Sequence, residues 1–253
     1  MLTTLTIART EARRIFVSPL AWAVLAVMQS ILGIVFLLLL IEYAQNPRGQ
    51  DQYTGLADYI GNGLYGFATL VLLLIMPLLT MRLFSEERKT GSLTLLLSSP
   101  VSLIQIVLGK FLGLSVFIVA TIALMAAMPL VLLIGTDLDV GRIAAGLLGL
   151  SLLMMALGAA GLFVSTLTKE PTIAAVGSFG LLLVFWMMQI LSTQHGIVGE
   201  ILGYLALVSH FENLRHGIFS TADVVYYLLF TGLFMARGLA TRQRTQLNPD
   251  LRT

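Results

Sequence analysis

Long apolar runs separated by short polar ones dominate this chain, at residues 20–41, 64–81, 111–134, 143–167, 172–191 and 224–240. Most reach the roughly 17–25 residues that an α-helix needs to cross a bilayer. The last is the weakest, bounded by Val224 and Ala236, and none of the six carries an internal carboxylate. A further apolar run at 197–209 is 13 residues long and includes Glu200. It is too short to span and reads as a re-entrant or interfacial helix. The pattern predicts an all-α polytopic membrane protein with six transmembrane helices.

Composition agrees. Of 253 residues, 57% are apolar and 11% charged, against about 25% charged in soluble domains. Such a chain has too little polar surface to face water. With six spans and both termini on one side, that side holds Arg9, Arg13, Arg14, Arg82, Arg88, Lys89, Lys110, Lys169, Arg237, Arg242, Arg244 and Arg252. The other side holds only Arg48, Arg142 and Arg215. The positive-inside rule then puts both termini in the cytoplasm. A seventh span at 197–209 would move the Arg-rich tail outside, against that rule. Cysteine is absent, which removes disulfides and thiolate metal sites. One transmembrane domain, 1–253, is the expected organisation, with a lead-in at 1–19, a loop at 82–105 and an outer segment at 192–223.

The lead-in contains Arg13-Arg14-Ile15-Phe16, which faintly resembles a twin-arginine signal, but the next apolar run is longer than a signal core and lacks a cleavage site. Leu2, Leu5, Ala12 and Phe16 instead recur at helical spacing, predicting an interfacial helix that turns at Ser18-Pro19 into the first span. A disordered basic anchor is the alternative.

The loop at 82–105 holds the most distinctive charges: Glu86, Glu87, Arg88 and Lys89 between two spans. Thr90-Gly91 should interrupt a helix there, and Pro100 should end the next. The loop reads as a handle for another protein. Chemistry of the chain's own is missing. Gly109-Lys110 lacks the upstream glycine and following Ser/Thr of a phosphate-binding loop, no G-x-S-x-G presents a nucleophile, and no proton-relay carboxylate lies in a span. The chain is expected not to be an enzyme, to need no cofactor and to bind no nucleic acid.

In the outer segment, His210, Glu212 and His216 form a weak metal candidate. Glu212 and His216 share a helix face but His210 does not, so hydrogen bonding at short-helix ends is the better reading. Tyr204, Phe211, Tyr226 and Tyr227 suit an aromatic belt. Small-residue pairs at Gly109/Gly113, Ala156/Ala160, Gly158/Gly161 and Gly177/Gly180 allow close helix packing, within the chain or between copies.

The run Phe84-Ser-Glu86-Glu87-Arg88-Lys89-Thr-Gly91-Ser-Leu93-Thr-Leu-Leu-Leu-Ser-Ser-Pro100, followed by Leu108-Gly109-Lys110-Phe111, resembles the coupling-helix signature of ABC exporter permeases of the second exporter class. That signature reads E-x-x-x-G-T-L-E-x-L-L-x-x-P-V, then a G-K pair. The stretch Ser209-His210-Phe211 to Gly217-Ile218, Asp223 and Tyr226 is similar to the gliding-motility-type permease subgroup. Thr94 departs from the pattern, standing where the family often has Glu. The resemblance implies a permease subunit working with a separate cytoplasmic ABC ATPase and a second permease chain, identical or related, in the bacterial inner membrane among its lipids. It places a cytoplasmic coupling helix at 85–99, with Glu86, Glu87, Arg88, Lys89, Leu93 and Leu96 as ATPase-coupling residues. The two carboxylates would offer partners to basic residues, and the leucines would fill an apolar groove or pack on the chain itself. Short re-entrant helices at 197–220, carrying Glu200, His210, Glu212 and His216, would form the outer mouth.

Two rival functions stand beside export: an ATPase-independent channel or lipid-handling module, and a non-transporting anchor whose ATPase cycle does mechanical work on envelope proteins. The lack of fixed charge in the spans points weakly to an amphipathic substrate, lipidic or peptide-like.

Overall fold

A computed structural model describes residues 2–45, 55–91, 101–134, 139–192 and 196–247. The described residues are almost wholly helical. Helix α1 (Leu2–Val17) ends at Ser18, and Pro19 opens α2 (Pro19–Gln45), the first span. The second span, Leu56–Lys89, is built in pieces. It comprises α3 (Leu56–Ile60), a π turn at Gly61–Tyr65, α4 (Gly66–Thr80) and α5 (Ser85–Lys89). Then follow α6 (Leu103–Val131), α7 (Val140–Leu167), α8 (Pro171–Leu191), the short α9 (Ile197–Leu205) and α10 (Leu207–Arg215), and α11 (Thr221–Leu247). Among the described residues six helical stretches are long and apolar enough to cross a membrane, as the apolar pattern predicts.

Two spans form the interior. About two-thirds of the apolar windows of Leu56–Lys89 and α7 are buried, whereas α2, α8 and α11 are mostly open and present apolar faces outward. Small residues explain why α7 can be central. A Cβ at Gly161 would lie 2.1 Å from Thr80 Oγ1 on α4, and one at Gly146 would lie 2.5 Å from the Tyr65 ring. Those approaches close only over glycine. Gly109 and Gly113 are likewise used within the chain, against Ile7 and Glu11 of α1. Gly180, by contrast, meets nothing within 4 Å.

Several helix ends differ from the apolar runs. The α6 helix begins at Leu103, two turns before the run at 111, because Ser102 and Gln105 form a reciprocal capping box. Lys110 therefore lies inside the third span. The second span starts at Leu56 and so includes Asp58, buried and 3.2 Å from Arg142 of α7. A span can hold that carboxylate because it is paired.

The lead-in is a helix, and its most buried residues lie beside the apolar stripe, of which Ala12 and Phe16 are half-buried. Leu5 is 61% exposed, while Ala8 and Glu11 are buried against α6. The glycines of α6 set that choice, since only there can the α1 backbone approach closely. Phe211 and Tyr227 also depart from expectation: both are fully buried rather than part of an interfacial belt. Phe211 faces Gly149 of α7, and Tyr227 donates its hydroxyl to Leu207 O at 2.6 Å.

Candidate functional site

The charges of the loop gather at one end of the bundle, and the chain itself holds them. Phe84 and Ser85 lack helical partners for their amides, as the first residues of a helix do. Both amides donate to Ser165 Oγ of α7, at 3.0 and 3.1 Å, and that hydroxyl donates to Met81 O at 3.0 Å. Ser165 is fully buried. It fixes where α5 starts. The helix stops after Lys89, with Gly91 at φ 73°, the left-handed conformation that glycine adopts without strain. The expected break at Thr90-Gly91 is there. Residues 92–100, with Leu93, Leu96 and Pro100, lie outside the described residues.

Glu86 and Glu87 face inward along the chain. Arg14 of α1 reaches Glu86 Oε2 at 2.8 Å and Glu87 Oε1 at 3.3 Å. Lys110 of α6 bridges Glu87 Oε1 at 2.7 Å and Glu11 Oε2 at 3.1 Å. Lys110 is 1% exposed; burying a cation is costly unless carboxylates pair with it. Burial pulls the Arg14 guanidinium down, and Glu11, Glu86 and Glu87 outweigh it, so the net shift is upward. The carboxylates offered to a partner's basic residues by the sequence reading are thus held by Arg14 and Lys110.

Arg88 donates to Thr166 O at 3.2 Å, and Lys89 pairs with Glu170 at 2.8 Å. The second pair is exposed and contributes little. Phe84 lies beneath two cations, with Lys110 Nζ 5.1 Å and Arg242 Cζ 4.7 Å from its ring centroid. Arg242 of α11 is 4% exposed. The junction therefore ties α5 to α1, α6, α7, α8 and α11.

The sequence reading missed Glu11, Arg14, Ser165, Glu170 and Arg242 as members of this junction, and had Phe84 and Lys110 only as part of the coupling signature. One signal was present: Glu11 is the only acidic residue in the first 41. Lys110, just ahead of a long apolar run, was the other.

The opposite end carries the outer segment. His210 Nδ1 lies 2.6 Å from Asp223 Oδ1 and Nε2 lies 2.9 Å from Tyr204 O. Both ring nitrogens are thus engaged, one by a carboxylate and one by a main-chain carbonyl. Asn213 donates to the second oxygen of Asp223 at 3.0 Å, and the His210 ring stacks on Tyr226 at 3.9 Å. Arg215 pairs with Glu212 and donates to Asn62 O at 3.2 Å, tying α10 to the π turn. His216 is 3.8 Å from Glu212, and Glu200 is exposed. Among the described residues no three His, Asp or Glu side chains come together as metal ligands. The polar residues of the segment tie short helices to one another, as the hydrogen-bonding alternative expects. After α10, Gly217 at φ 80° lets Ile218 N reach Asn213 O at 2.9 Å, a Schellman-type close.

A six-span bundle with a charged junction at one end and a strapped pair of short helices at the other is the geometry to be placed among known proteins. No curated protein matches the chain. The family described as ABC-2 family transporter protein matches residues 5–241, nearly the whole length, and the chain belongs to that family as a multi-pass permease subunit of an ABC transporter.

Proposed function

We propose that this subunit is the membrane half of an exporter in the bacterial inner membrane, with both termini cytoplasmic, and that segment 85–99 receives a separate ABC ATPase. A second permease chain completes the pathway, and the helices at 197–220 dip into its outer mouth. The carrying observation is the clamping of α5. Its amides sit on Ser165 of α7 and its carboxylates on Arg14 of α1 and Lys110 of α6. Force applied to α5 therefore passes into three other helices through short, directional bonds instead of being lost in a flexible loop. Leu93 and Leu96 supply the apolar docking contact, Glu86 and Glu87 transmit, and Arg88 and Lys89 anchor α5 to the α7–α8 turn.

Affinity purification from native membranes, with every subunit identified, tests the reading. It expects an ABC ATPase at one copy per permease chain. Cysteine labelling tests the orientation without background, because the chain has no native cysteine. Lys89→Cys should react only from the cytoplasm and Phe219→Cys only from outside. The reverse pattern overturns it.

A further inference from the structure

A cleft of about 190 Å³ opens beside the charged junction, between α1, the start of α2 and the end of α4. One wall is apolar, built from Ile15, Leu20, Ala21, Leu78 and Leu79. The other carries Glu11, Arg14, Arg82 and Glu86. The cleft sits where the apolar part of two spans gives way to charge. Trp22, next to this wall, is 58% exposed and donates its indole N–H to Phe16 O at 2.7 Å. An exposed, anchored indole marks the headgroup level of a bilayer.

The four charges are not equally free. Glu11 is buried and taken by Lys110, and Arg14 is divided between Glu86 and Glu87. Arg82 is exposed and makes no hydrogen bond or ion pair with the described residues. Glu86 spends Oε2 on Arg14, which leaves Oε1 for another donor. The cleft thus offers one free guanidinium and one half-used carboxylate, above an apolar wall. Two cations against two carboxylates make it neutral, so a ligand carrying only negative charge matches it poorly. A zwitterion with an acyl chain matches all three features.

We propose that this cleft binds one zwitterionic aminophospholipid of the phosphatidylethanolamine class. Its phosphate takes Arg82, a geometry that guanidinium favours. Its primary ammonium donates to Glu86, and an acyl chain lies along Leu20, Ala21, Leu78 and Leu79. A choline headgroup has no N–H to donate, so Glu86 discriminates between the two zwitterions. This inference needs only the membrane-spanning fold and stands apart from the coupling proposal.

The test is native mass spectrometry of the purified, delipidated full chain titrated with dioleoyl phosphatidylethanolamine, phosphatidylcholine or phosphatidylglycerol. The parent should bind the ethanolamine lipid severalfold better than the choline lipid. Arg82→Gln should weaken ethanolamine-lipid binding about tenfold, the scale of one charge-assisted phosphate contact. It should leave thermal unfolding unchanged, since Arg82 makes no hydrogen bond or ion pair among the described residues. Glu86→Gln should abolish the preference for ethanolamine over choline and spare phosphatidylglycerol. Arg9→Gln, on an exposed part of α1, is the control and should bind as the parent does. Soluble O-phosphoethanolamine should not displace the lipid, because it lacks the chain. Equal binding of the two zwitterionic lipids by the parent, equal loss in Arg9→Gln and Arg82→Gln, or displacement by soluble phosphoethanolamine overturns the proposal.

Discussion

Lys110 Nζ lies 2.7 Å from Glu87 Oε1, a part-buried bond that joins the third span to the short helix closing the second. The same ammonium holds Glu11 of α1 at 3.1 Å. Removing one partner from a buried ionic cluster costs more than the cluster contributes, because the remaining charges stay buried and unpaired. Lys110→Met leaves Glu11 and Glu87 to Arg14 alone, at 3.9 and 3.3 Å, and stability should fall, by at most about 3–5 kcal/mol. Glu11→Gln should cost less, since Lys110 keeps Glu87. Thermal unfolding in detergent checks the order. Equal stability of Lys110→Met and the parent would mean that the cluster is not buried as described.

Ser165 should matter out of proportion to its size. Ser165→Ala leaves the amides of Phe84 and Ser85 without their acceptor, at about 1–3 kcal/mol for buried unsatisfied groups. The loss is local to α5, so hydrogen exchange at residues 84–89 should accelerate while α7 keeps its protection. Unchanged exchange in α5 contradicts this role.

The outer strap gives a separable outcome. His210→Ala removes the ring contacts to Asp223 and Tyr204 O and should loosen α9 and α10 without unfolding the bundle, whose interior is α4 and α7. Faster hydrogen exchange across 204–214, with an unchanged melting temperature, is expected. Loss of the whole fold would show that the strap supports the core.

The spans were legible because a bilayer-crossing helix needs a long local run of apolar residues, and such runs are visible one segment at a time. The break at Thr90-Gly91 was legible for the same local reason. The junction was not. Glu11 and Lys110 are 99 positions apart, and no periodicity links two charges that meet only after α1 packs on α6. That α1 is a helix was legible from its apolar spacing; which side of it packs on α6 was not, because Gly109 and Gly113 decide where its backbone can come close. Tyr227 and Phe211 read as belt residues by type. Their burial depends on the glycines of α7 and on short helices folding over them.

The central claim is that an ATPase docks on segment 85–99 and acts through α5. The most direct measurement is photocrosslinking in native membranes from benzoylphenylalanine placed singly at Thr90, Leu93, Leu96 or Phe219. ATPase adducts are expected from the first three positions and none from Phe219, at the other end of the bundle. An ATPase that co-purifies with the permease but forms no adduct at 90, 93 or 96, or one that crosslinks from Phe219, would contradict that claim.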